Sequence, residues 1–154
     1  MNKQSSFEEY LEKNGNLTYT NKGVSMLPLL RQGKDMFILE KKTDERCRVG
    51  DVVLYRRPPD QYVLHRIIAV RPEDYVILGD NCINKEYGIS DSDIIAVMTG
   101  FIRNGKEHTV SEKRYRIYSF VTLHTIPLRT FYKKTKSGIK KIVKRVRKKN
   151  KQNK

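Results

Sequence analysis

Short runs in which apolar and polar residues alternate dominate the first two thirds of the chain. Leu17 to Thr20, Met36 to Leu39, Val52 to Tyr55, Tyr62 to Val70, Tyr75 to Leu78 and Ile94 to Ile102 are rich in β-branched and aromatic residues, so each predicts a strand. Gly33-Lys34-Asp35, Gly50-Asp51, Pro58-Pro59-Asp60, Pro72-Glu73-Asp74, Gly79-Asp80-Asn81 and Asn104-Gly105 fall between them as turns. No intervening segment is long and periodic enough to be a crossover helix, which predicts a mostly β, antiparallel domain. Upstream, Phe7 to Lys13 sets Tyr10 and Leu11 among acidic residues at helical spacing, a short helix that Asn14-Gly15-Asn16 should stop. Downstream, Leu128, Phe131, Tyr132, Ile139, Ile142, Val143 and Val146 recur at steps of three and four amid Lys and Arg. That spacing predicts a basic amphipathic helix, weakened at Ser137-Gly138. The closing KKNKQNK has nothing apolar to bury and reads as disordered. The expected layout is a short helical segment over 1–16, a β domain over 17–111 and a basic tail over 112–154.

Charge sharpens that division. Up to Ser111 there are 16 basic and 16 acidic residues, whereas beyond it 16 basic residues face the single Glu112, so the whole net charge of +15 sits in the tail. A chain of 154 residues suits one domain plus an appendage. The apolar-looking stretch Ile117 to Leu128 contains His124 and Pro127 and falls short of the roughly 20 residues a bilayer span needs. Acidic residues near the N-terminus stand where a secretory signal would be apolar. With no signal peptide or transmembrane segment read, the expected compartment is the cytoplasm, with reduced Cys47 and Cys82. Neither the cysteines nor His108 and His124 have the pair spacing of a zinc site, and no metal or cofactor is expected. For the tail, a peripheral contact with an anionic membrane surface accounts for both its charge and its apolar stripe. Nucleic-acid binding would use the charge alone and no recognition motif accompanies it; the third reading is a solvated tail that aids solubility, with Tyr115 to Leu128 packing back on the β domain.

Three segments could carry chemistry. In Gly23-Val24-Ser25-Met26-Leu27-Pro28 a serine follows a strand at a proline-fixed turn, but its hydroxyl is a poor nucleophile without a base. His65 lies in the strand Tyr62 to Ile68, where alternation groups it with Val63 and Ile67 and sets Leu64, Arg66 and Ile68 on the other face. Taken alone, it reads first as a half-buried strand histidine satisfied by a backbone carbonyl rather than as a catalytic base. Asp80, in Leu78-Gly79-Asp80-Asn81, reads alone as an ordinary turn residue bonding local backbone.

Together and in this order the segments resemble type I signal peptidases, in particular the archaeal and endoplasmic-reticulum branch. Ser25-Met26-Leu27-Pro28 matches that family's S-M-x-P box, Arg48 to Val53 its R-x-G-D box, His65-Arg66 its H-R box and Gly79-Asp80-Asn81 its G-D-N box. The similarity spans about Gly23 to Gly105. It implies a serine endopeptidase that removes a signal or leader peptide after small residues. Ser25 would be the nucleophile, His65 the general base and Asp80 the group that orients or supports the imidazole. Met26 would line the substrate pocket, and Arg66, Asn81 and the acidic Glu86, six positions beyond Asp80, would have supporting roles. Two departures stand out: Gly23 occupies the position where many relatives place an oxyanion-binding hydroxyl, and a short acidic helix stands where they have a spanning helix. A non-catalytic module with the same fold, bound at an anionic membrane, is the alternative.

Overall fold

Val52, Val53, Leu54 and Tyr55 are four consecutive buried residues, so the strand they form is covered on both faces. The computed structural model describes residues 6–59 and 61–136. Its elements are α1 (Phe7–Asn14), β1 (Asn16–Thr20), β2 (Met36–Lys41), β3 (Val52–Arg57), β4 (Gln61–Val70), β5 (Tyr75–Leu78), β6 (Glu86–Ile89), a 3-10 turn Asp91–Asp93, β7 (Ile94–Arg103), β8 (Lys106–Thr109) and α2 (Lys113–His124), followed by a helix over 126–136, α3. All strand pairings are antiparallel. The order is β1-β2-β7-β3-β4-β5-β6, with β8 paired to β7. The mostly antiparallel β architecture expected from the alternation is the observed one.

Local chemistry explains the element ends. Ser6 Oγ accepts from Glu9 N at 3.1 Å and Glu9 Oε2 accepts from Ser6 N at 3.3 Å, a reciprocal cap that starts α1. Gly15, at φ 75°, stops it in the left-handed conformation that glycine adopts without a side-chain clash. Leu11 then points into the sheet.

Alternation along β3 and β4 feeds two cores. Val52, Leu54 and Leu64 join Leu39, Met98 and Leu30 in one, while Val53, Tyr55 and Ile67 join Tyr75, Ile77 and Ile94 in the other. His65, opposite Val53 in the β3–β4 register, shares the second face; Arg66, opposite Val52, shares the first.

The expected basic tail is divided. One compact unit ends at Leu123 and a second begins at His124, so α2 belongs with the β domain rather than with an appendage starting at residue 112. The reason is polar as well as apolar, since Tyr115, Tyr118 and Ser119 of α2 all hydrogen-bond to buried groups of the domain. In α3, Leu128, Phe131 and Tyr132 are exposed. The expected stripe positions Ile139, Ile142, Val143 and Val146, and the expected disordered end, lie outside the described residues. Among the described residues no helix is long and apolar enough to cross a membrane.

Candidate active site

The loop between β1 and β2 carries Ser25, and Asn21 gives it its shape. Asn21 Nδ2 donates to Gly23 O at 2.8 Å and to Leu30 O at 3.1 Å, bracketing the serine turn from inside. From outside, the turn after β5 grips the same segment: Asn81 N donates to Ser25 O at 2.7 Å and Asn81 Nδ2 to Val24 O at 3.1 Å. Ser25 is thereby tied to the Gly-Asp-Asn turn, with Asn81 as the link.

Gly79 measures how close the parts come. A Cβ at Gly79 would lie 2.8 Å from Ser25 O, 2.9 Å from Cys82 Sγ and 2.9 Å from His65 Nε2. Only a residue without a side chain lets the serine backbone, the thiol and the imidazole converge on one point. Ser25 and His65, forty positions apart in sequence, therefore share one side of the site. Among the described residues, Ser25 Oγ and His65 Nε2 make no hydrogen bond to each other or to another group.

The opposite ring nitrogen is held. His65 Nδ1 stands 3.1 Å from Glu86 Oε1 and 3.3 Å from Tyr55 Oη, and Glu86 Oε2 in turn accepts from Arg57 Nη1 at 3.2 Å. A carboxylate can only accept, which assigns the proton to Nδ1 and the lone pair to Nε2. Burial holds the His65 pKa below its ordinary value of 6.5, and although Glu86 acts to raise it, burial prevails. The ring is consequently neutral near pH 7 and able to take a proton at Nε2. It is satisfied by side chains, not by the backbone carbonyl that the strand pattern alone allows.

Of the two roles that the resemblance implies for Asp80, orienting the imidazole is not met by its hydrogen bonds, and electrostatic support remains. Its Oδ1 accepts from Arg66 Nε at 2.8 Å, and its Oδ2 accepts from Arg66 Nη2 at 2.7 Å and from Tyr118 Oη at 2.8 Å. The Asp80 carboxylate is thus directed to Arg66, and the carboxylate bonded to the imidazole is that of Glu86. The register agrees with this: Leu78, the last residue of β5, lies opposite Arg66, and the turn that carries Asp80 follows it directly. Asp80 reaches His65 only through its field, which favours the protonated ring. Arg66 also donates through Nη1 to Gly50 O at 2.8 Å and Ser119 Oγ at 2.9 Å. Burial is the largest influence and acts to lower its pKa, but the hydrogen bonds and charge of Asp80, together with Tyr115, outweigh it and raise the pKa.

Met26 is a second correction. Its side chain is 1 % exposed and packs with Leu11, Leu29 and Leu30 in the core, so it lines no open pocket. Gly23 is exposed, and a Cβ placed on it would meet Ser25 Oγ at 3.9 Å, so this position does border the hydroxyl. Sequence reading did not find Tyr55, Arg57, Asn21 or Tyr118. Glu86 entered only through the resemblance, with a vaguer role than its geometry gives it.

No family model, curated protein or solved structure matches this chain.

Proposed function

We propose that this protein is a serine endopeptidase of the signal-peptidase type that works through Ser25 and His65. The observation that carries the reading is the held imidazole: Glu86 fixes the proton on Nδ1, and the unbonded Nε2 faces the same glycine as the Ser25 backbone. In the proposed reaction His65 Nε2 takes the hydroxyl proton as Ser25 Oγ bonds to the scissile carbonyl carbon. The imidazolium then protonates the departing amine as the peptide bond breaks, leaving an acyl group on Ser25. Water, deprotonated by the same nitrogen, cleaves that ester and restores the hydroxyl.

The Ser25 N–H is the first oxyanion donor in this scheme, since it makes no hydrogen bond among the described residues. With glycine at position 23, no side-chain hydroxyl there adds a second. The order of the Ser-Met, Arg-x-Gly-Asp, His-Arg and Gly-Asp-Asn segments supports a signal or leader peptide cut after small residues as the substrate class.

A fluorophosphonate probe tests the chemistry. Labelling that disappears in Ser25→Ala and falls steeply in His65→Ala supports the peptidase. Absence of labelling between pH 6 and 9 on the folded full chain, at about the range where a neutral imidazole is available, leaves the non-catalytic module instead.

A further inference from the structure

The two long sides of α2 have opposite fates. Tyr115, Tyr118, Ser119 and Thr122 turn inward, the first three onto Arg66 and Asp80. Ile117, Phe120 and Val121, spaced to form one stripe on the other side, are 65 %, 61 % and 50 % exposed. Lys113, Arg114 and Arg116, all exposed, accompany that stripe. The patch continues onto the loop before β3, where Val49 is half exposed and lines a cleft together with Phe120 and Arg48.

A helix on a solvated surface places polar residues on its outer side. Adjacent large apolar side chains there mark a contact surface. We infer that the outer face of α2 lies in the headgroup region of an anionic lipid bilayer, with Ile117, Phe120 and Val121 among the acyl chains and the neighbouring cations on the lipid phosphates. Charge selects this occupant: from Lys113 to the last residue there is no Asp or Glu. A nucleic acid would engage the cations but give the apolar stripe nothing to bury against. This stripe is distinct from the one expected further along the tail, and the inference does not rest on the peptidase reading.

The chain contains no Trp, so Phe120→Trp in the full-length protein supplies a single local reporter. The probes are vesicles of phosphatidylcholine alone and of equal parts phosphatidylcholine and phosphatidylglycerol. The expected result is a blue-shifted emission, quenched by brominated acyl chains, with the anionic vesicles only, and weakened by added salt. Adding Ile117→Ser and Val121→Ser should lower the vesicle partition about tenfold or more. Vesicle binding with unshifted Trp emission overturns the proposal by assigning the lipid to the rest of the tail. A shift without lipid that tracks dimer formation overturns it in favour of a second copy, and a shift with RNA but not with vesicles overturns it in favour of nucleic acid. Should the serine double variant not fold, the Trp variant alone decides. Vesicle seating in a chain that no serine probe labels would sink only the peptidase reading.

Discussion

Arg66 and Asp80 form a two-point ion pair sealed from solvent, with distances of 2.8 and 2.7 Å and both side chains 1 % exposed. Such a pair contributes little net stability against a hydrophobic replacement, yet it is costly to break from one side, because the surviving charge stays buried. It also fixes the turn that holds Ser25, through Asn81, and anchors α2, through Tyr118 and Ser119. Histidine and arginine of one dipeptide thus serve opposite faces of β4, one presented to the site and one built into the frame.

Asp80→Asn should destabilise the protein by about 3–5 kcal/mol. Tyr118→Phe, which removes one hydrogen bond to the same carboxylate, should cost about 1 kcal/mol. Urea unfolding followed by circular dichroism reads both. A loss under about 1 kcal/mol for Asp80→Asn would show that Arg66 finds another partner.

Glu86→Gln should leave the fold nearly intact, since Glu86 is partly exposed, while lowering peptidase turnover on the order of 10²-fold or more. Glu86 raises the His65 pKa, so its removal should also move the acid limb of kcat/KM to lower pH. Unchanged turnover in Glu86→Gln, alongside lost turnover in a still-folded Asp80→Asn, would return the orienting role to Asp80.

Stability should fall in two separate windows as pH is lowered. The folded His65 pKa lies below its ordinary value of 6.5, so between the two the unfolded chain binds more protons and stability declines as pH drops below about 6.5. Asp35 and Asp91 are shifted the other way relative to their charge. Burial would raise them, but hydrogen bonds from Arg31 and Arg103 to Asp35, and from Lys42 and Tyr75 to Asp91, hold both below 3.8. Their contributions are complete above that value and are lost only as pH falls beneath it. His65→Asn should abolish the upper decline and keep the lower one, as measured by chemical denaturation across pH. A single decline common to both proteins would remove His65 from the account.

Gly79→Ala should disable the site at modest cost to the fold. The added carbon would press on Ser25 O at 2.8 Å, a backbone atom already fixed by Asn81, as well as on the imidazole and the Cys82 thiol. A stability loss of about 1–3 kcal/mol is expected from overpacking, with probe labelling of Ser25 reduced well beyond what that loss explains. Normal labelling in Gly79→Ala would show that the serine and the imidazole do not need this approach.

β1 to β5 and β7, the turns between them, the short helix α1 and the charge break were legible along the chain, because a period of two and the special conformations of glycine and proline act over a few residues; β6 and β8, four residues each and without that alternation of apolar and polar positions, were not. Ser25, His65 and Glu86 were legible as candidates. The sequence could not decide which carboxylate meets the imidazole. Glu86 lies opposite Ile77, and Ile77 opposite Ile67, which shares the face of His65, so the contact depends on two strand registers at once. Asp80, nearer to His65 in the chain, sits in the turn beyond β5 and bonds Arg66 instead. The resemblance set Met26 in a substrate pocket and the charge break set residues 112–124 in a tail, whereas packing buried the first and made α2 part of the domain. Chain chemistry determined which groups exist and which elements carry them; only the closed sheet, through its registers and its two covered faces, decided which of those groups touch.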